Sequence, residues 1–120
     1  RISSAEDVAR AFDGPGVLEK AVDFDKELAV IVARSATGEV RTFPTVEMVF
    51  HPERNLVEYL FAPADVAPAV NEQAQDLARR TAEAFGVVGL LAVEMFLDKQ
   101  GNVLINEVAP RPHNSGHHTL

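Results

Sequence analysis

Apolar positions along the chain recur with two different periods, and the change of period separates its parts. From Asp65 to Phe85, residues Val66, Val70, Ala74, Leu77, Ala78, Thr81, Ala82 and Phe85 return at helical spacing. That spacing predicts one long helix, stopped by Gly86 and able to hold Pro68 only because it falls in the first turn. A shorter helix is predicted over Ser3 to Phe12, with Ser4 as N-cap, Val8, Ala11 and Phe12 on one face, and Gly14-Pro15-Gly16 ending it. Elsewhere the apolar positions alternate or run together, which predicts strands over Val17 to Val22, Glu27 to Arg34, Val40 to Phe43, Val46 to Phe50, Val57 to Ala62, Gly89 to Leu97 and Asn102 to Val108. Glu27 to Arg34 is apolar on both faces, as an interior strand is. Ala36-Thr37-Gly38 and Asp98-Lys99-Gln100-Gly101 are hairpin turn signals, His51-Pro52-Glu53-Arg54-Asn55 is a polar loop, and Ala109 to Thr119, with two prolines and no periodicity, is predicted to be a loop. The order predicts an α+β domain with helices packed on one face of a mostly antiparallel sheet.

Size and charge narrow what this domain can do. With 120 residues, 47% of them apolar, it can build one core. The 18 acidic and 11 basic side chains leave a formal charge of −7 without a Lys/Arg stripe, so a nucleic-acid partner is not expected. An acidic domain binds a polyanion such as ATP when divalent cations stand between carboxylates and phosphates. Having no cysteine, the chain has no disulfide framework and no thiol nucleophile, and a soluble protein in a reducing, cytoplasmic setting is expected. The longest apolar stretch, Val87 to Phe96, contains Glu94 and is far too short to span a membrane, so no membrane partner is expected. The chain starts at Arg1 and stops at Leu120 beside a loop crowded with reactive side chains, so both ends are expected to be cuts in a longer protein.

The last hairpin carries the clearest chemical signal. A two-residue turn at Gln100-Gly101 puts Glu94 directly opposite Glu107. Like charges facing across a ladder are destabilising, and Glu94 stands among Leu90, Leu91, Val93, Met95 and Phe96, where an uncompensated carboxylate is costly. A magnesium ion, which takes hard oxygen ligands and completes its shell from water and phosphate, removes the conflict. Another register would leave both glutamates in solvent. Downstream, Arg111-Pro112-His113-Asn114-Ser115-Gly116-His117-His118 gathers a guanidinium, two hydrogen-bonding side chains and three imidazoles. Arg111 suits a phosphate or carboxylate and charge building on transferred oxygens. A zinc site on His113, His117 and His118 needs helical spacing, which Pro112 and Gly116 disfavour. Read alone, Glu19 and Glu27 are ordinary surface carboxylates.

Leu91-Ala92-Val93-Glu94 followed by Ile105-Asn106-Glu107-Val108-Ala109-Pro110-Arg111-Pro112-His113-Asn114-Ser115-Gly116-His117 closely resembles the ATP-grasp ligases, and Phe24-Asp25-Lys26-Glu27-Leu28 extends the likeness over essentially the whole chain. It is most similar to the branch that makes N5-carboxyaminoimidazole ribonucleotide in purine biosynthesis. The resemblance implies an enzyme in which ATP phosphorylates bicarbonate to carboxyphosphate, and the carboxyl group passes to the amine of 5-aminoimidazole ribonucleotide with release of ADP and phosphate. It also implies two magnesium ions and a homodimer in the full-length enzyme. Carried over, Glu94 and Glu107 resemble the metal-binding pair, with Asn106 and Glu107 against the phosphates. Glu19, Lys20, Ala21 and Val22 match the adenine-contacting strand, Glu27 the ribose ligand, and His51 a nucleotide-contacting histidine. Arg111, His113, Asn114, Ser115 and His117 fall where bicarbonate and the aminoimidazole gather, Arg111 joining the two glutamates as a catalytic residue. The formate-using glycinamide ribonucleotide transformylases share Pro-Arg-Pro-His but continue as Asp-Thr-Gly, so Asn114-Ser115-Gly116-His117 favours the carboxylating branch over formate activation. The resemblance further implies that residues 1–120 are an ATP-grasp fragment, mainly the C-terminal lobe. A preceding nucleotide-like domain, most of the first lobe and the C-terminal end would then lie outside it. The isolated fragment is expected to be an inactive folded module.

Overall fold

The computed structural model describes residues 2–51 and 56–119. Its centre is β1 (Phe24–Arg34), whose run of fully buried residues, Leu28 to Val32, is the interior strand that the sequence predicts. Each strand able to pair with it does so antiparallel. β5 (Gly89–Asp98) lies along one edge. β2 (Val40–Thr42) and β3 (Val46–Phe50) share the other, β2 against Val32–Arg34 and β3 against Glu27–Ala29. The Phe43 amide still donates to Ile31 O at 2.9 Å, after which Pro44, with no N–H to give, interrupts the ladder. β4 (Val57–Phe61) pairs with β3, and β6 (Val103–Ala109) pairs with β5. The resulting six-stranded sheet has the order β4-β3-β1-β5-β6 with β2 beside β1.

Two short elements differ from expectation at the amino-terminal end. The first helix, α1 (Ala5–Val8), is one turn long and buries none of its residues, although the Asp7 carboxylate accepts the Ser3 and Ser4 amides at 2.9 and 3.0 Å. A cap starts a helix, but a helix this short persists only when its apolar face packs on something, and Phe12 is 82% exposed. Val17 to Val22, expected as a strand, has no ladder partner among the described residues, and Val17 and Leu18 are exposed.

The long helix, α2 (Pro68–Ala84), begins three residues later than its apolar pattern, because a residue before proline is driven out of the helical region and Ala67 adopts ψ 146°. It ends one residue early, with Gly86 at φ 61° taking the left-handed cap position. Ala74, Ala78 and Ala82, one turn apart and fully buried, let the helix approach Leu28, Val30, Val32, Leu91, Val93 and Met95 of β1 and β5 closely, and this is the main core. All ladders are antiparallel and α2 covers one face, so the fold is the α+β arrangement expected. Among the described residues no helix is long and apolar enough to cross a membrane.

The other face of the sheet carries the remaining alternate positions: Glu27, Ala29 and Ile31 on β1, Ala92, Glu94 and Phe96 on β5. Over its far end folds the segment after β6. The prolines predict a loop there; Asn114–Thr119 instead forms a 3-10 helix, with Gly116 against Ile31. A small second core of Ile31, Ala92, Ala109 and Phe43 lies beneath it.

Candidate functional site

The β5–β6 hairpin places the site, and it does so by a different route from the one expected. Its loop is Lys99-Gln100-Gly101 rather than a two-residue turn: Asp98 N donates to Asn102 O at 2.9 Å, Gly101 has φ 86°, and Leu97 faces Val103. In that register Glu94 would meet Asn106, and Glu107 would meet Val93 under α2. A bulge between Glu94 and Met95 takes up Asn106 as the extra residue, so that Glu94 faces Glu107 after all. Leu104 and Ile105, consecutive apolar residues that break a strict alternation, are the sequence trace of this irregularity.

Three carboxylates consequently share one region. Glu94 is 16% exposed at its side chain, and burial, more than any neighbour, raises its carboxyl above the usual range; His113 and Arg111 oppose the rise, and the Glu107 charge adds to it. Burial likewise raises Glu27, with the Glu94 charge contributing. His113 Nε2 lies 3.0 Å from Glu94 Oε1. Glu107 and Asn106 are exposed beside them.

On either side of these carboxylates the face opens into a cleft. Toward one end, Phe24 and Phe96 stack with centroids 4.6 Å apart, and Phe96, Leu104, Ile105 and Asn106 face Glu19, Lys20, Ala21 and Val22 across a space of about 410 Å³. Although residues 19–22 are not a strand, they lie beside the hairpin. The aromatic and aliphatic wall was not among the expected site residues; its signal is that β1 and β5 keep apolar side chains on a part of the sheet face that neither α2 nor the 3-10 helix covers. Toward the other end, Ile31, Phe43, Leu90, Arg111, His113, Asn114 and His117 line a cleft of about 430 Å³. At about 3.4 Å per residue, Phe96, Glu94 and Leu90 set the order of cleft, carboxylates and cleft along some 20 Å of β5.

Two expected ligands lie elsewhere. His51 follows the last residue of β3 and lines neither cleft; its loop, residues 52–55, is outside the described residues. Ser115, expected at the substrate, is fully buried behind the cleft wall, hydrogen-bonded to His113. The three imidazoles do not converge on a zinc site: His113 meets Glu94, His118 turns to Ser115 O at 3.0 Å and edge-on to Phe43, and His117 faces the cleft. Among the described residues no three His, Cys, Asp or Glu side chains are grouped to hold a metal unaided. Two carboxylates with ligand phosphates nonetheless suit magnesium, which rarely relies on a complete protein cage. The raised Glu94 carboxyl, with a like charge opposite, is the donor chemistry that such a cation stabilises.

Comparison with known proteins identifies the family. A family model described as the ATP-grasp domain matches residues 1–120. N5-carboxyaminoimidazole ribonucleotide synthase of Bacillus subtilis is 50% identical over 107 residues, covering 89% of this chain and 28% of that protein. The crystal structure of N5-carboxyaminoimidazole ribonucleotide synthetase from Thermotoga maritima superposes with a TM-score of 0.86 at 42% identity, over 97% of this chain and 30% of that one. N5-carboxyaminoimidazole synthase from Aspergillus clavatus, solved in complex with ADP and 5-aminoimidazole ribonucleotide, gives 0.75 at 41% identity, over 84% and 26%. The chain thus spans less than a third of the length of these relatives.

Proposed function

Since this chain belongs to the ATP-grasp family, we propose that it is the carboxylate-bearing lobe of an N5-carboxyaminoimidazole ribonucleotide synthase. In this reading the whole protein uses ATP to convert bicarbonate to carboxyphosphate and transfers the carboxyl group to 5-aminoimidazole ribonucleotide, releasing ADP and phosphate. The observation that carries it is the line along one sheet face: an aromatic cleft, then Glu27, Glu94 and Glu107, then a cleft edged by Arg111, His113, Asn114 and His117. A nucleotide with its base in the first cleft would direct its phosphates across the carboxylates toward the second.

Each group has a task that its surroundings suit. Residues Glu19 to Val22 offer backbone groups to the adenine edge while Phe96, Leu104 and Ile105 hold its face, and Glu27 reaches the ribose hydroxyls. Glu94 and Glu107, with Asn106, would hold magnesium, which when bound supplies neutralisation of the phosphate charge. Arg111, exposed at the rim of the second cleft, stabilises negative charge on the transferred phosphoryl oxygens. His113, Asn114 and His117 orient the acid and the amine that accepts its carboxyl group. Two magnesium ions, a dimeric full-length enzyme and a cytoplasmic setting belong to the same reading; they rest on the family resemblance and the cysteine-free composition.

The test is ADP release by the full-length protein with bicarbonate and 5-aminoimidazole ribonucleotide, run beside formate with glycinamide ribonucleotide. Bicarbonate-dependent release is expected, and release with formate alone would overturn the assignment. The 120-residue chain by itself should bind nucleotide weakly and turn nothing over, because an acyl phosphate survives only where a second lobe closes over it.

A further inference from the structure

Ser115 is completely buried inside a run of polar residues, yet it lines neither cleft. Its amide and its hydroxyl both meet the His113 ring. The turn that holds them is closed by Gly116 N donating to His113 O at 2.9 Å and docks on the sheet where Gly116 meets Ile31. From this position the Ser115 amide donates to His113 Nδ1 at 3.3 Å, sharing its hydrogen with Asn114 Oδ1 at 3.0 Å, and Ser115 Oγ stands 2.9 Å from the same ring nitrogen.

A backbone amide only donates, so its approach to Nδ1 favours the ring form in which Nδ1 presents its lone pair, and in that form the serine hydroxyl donates as well. That form carries a ring hydrogen on Nε2, 3.0 Å from Glu94 Oε1, which accepts it. The chain of hydrogen bonds thus has a fixed direction, from Ser115 through His113 to Glu94.

We propose that Ser115 is a positioning residue: it fixes His113 as the Nε2–H tautomer, and His113 in turn pins Glu94 Oε1 so that Glu94 offers its other oxygen to the cation and phosphates. The final link rests on the reading of Glu94 as a magnesium ligand; the first two do not. A glutamate on its own has three rotatable bonds and no reason to keep one oxygen outward, and partners behind a ligand commonly supply that reason.

The decisive measurement needs no variant. In full-length protein labelled with 15N at histidine, without metal or nucleotide, His113 is expected to show an unprotonated Nδ1 and a protonated Nε2; a protonated Nδ1 overturns the proposal. Ser115→Ala is expected to blur that pattern toward a mixture of tautomers and to lower kcat about tenfold or more, with KM for the amine ribonucleotide little changed. Introduced into a His113→Gln background, Ser115→Ala should lower kcat by less than about twofold, since its effect runs through the imidazole. Equal losses in both backgrounds would make Ser115 a packing residue only and sink the idea. If the ring pattern is as expected but Glu94→Gln leaves magnesium-dependent nucleotide binding intact, the reading of Glu94 fails. The last link of the proposal then falls with it.

Discussion

Successive residues of β5 belong to two different molecules in all but covalent connection. Leu91, Val93, Met95 and Leu97 point into the core under α2, where alanines one turn apart bring the helix close. Ala92, Glu94 and Phe96 point the other way, to a face that carries two clefts, three carboxylates and a cover of one 3-10 helix. The first face is what holds the fold together. It contains the larger apolar cluster, and each fully buried aliphatic side chain there contributes on the order of 1.5–3 kcal/mol. The second face is where stability is given up: Glu94 is pushed toward its neutral form by burial and faces another carboxylate. A two-residue period lets one strand do both, because neighbouring side chains never compete for the same space.

The contrast can be broken from either side. The largest effect is expected from Glu107→Gln in the full-length enzyme, a loss of about a thousandfold in turnover, with thermal melting nearly unchanged because the residue is exposed. Full turnover at saturating magnesium would refute its role. Leu28→Ala, on the helix face, should do the reverse. A urea titration is expected to show a loss of roughly 2–5 kcal/mol, while the nucleotide affinity of the protein that remains folded is kept.

Smaller effects sharpen the picture. Glu94→Gln keeps an acceptor for His113 but removes a charge that folding disfavours. A carboxyl raised on folding costs nothing below about pH 4, and the cost grows above that until it is complete once the pH has climbed through the raised value. The variant should therefore melt higher than wild type at neutral pH without metal, the gap closing in acid; a variant that melts lower would show that Glu94 stabilises the fold. Asp98→Ala has the opposite sign and the smallest size. Asp98 is lowered by the Asn102 side chain and amide and by the Gln100 amide. Its contribution is present above about pH 4 and disappears as acid protonates it, so wild type and variant should melt apart at neutral pH and together in strong acid.

How much of this the sequence shows depends on where the partners of each segment lie. β1, β3, β5 and α2 bury their apolar faces against one another, and their periodicity predicts them to within a few residues. The strand and helix predicted before residue 23 have comparable patterns, but no described residue pairs with Val17 and Phe12 stays largely exposed, and local pattern without a partner does not make structure. The glutamate pair forms as expected, but the two-residue turn that predicts it is absent, and a longer turn and a bulge at Asn106 together restore the pairing. The tertiary burial of Ser115 is not legible, since a serine in a polar, proline-flanked run looks like a solvent-facing ligand until the 3-10 helix folds it under.

The bulge at Asn106 has a consequence for how such a chain could be shortened. Below it, Met95, Phe96 and Leu97 pair with Ile105, Leu104 and Val103; above it, Ala92, Val93 and Glu94 pair with Ala109, Val108 and Glu107. Excise Asn106 and both sets keep every partner they have, joined now as an unbroken ladder. The fold therefore has no use for this residue; it is an insertion in an otherwise regular hairpin, carried at the cost of an interrupted ladder. An amide side chain set beside the Glu107 carboxylate, on the rim of the aromatic cleft, is what the insertion gains. Removing it would leave a hairpin that assembles at least as readily and a cleft rim without that amide.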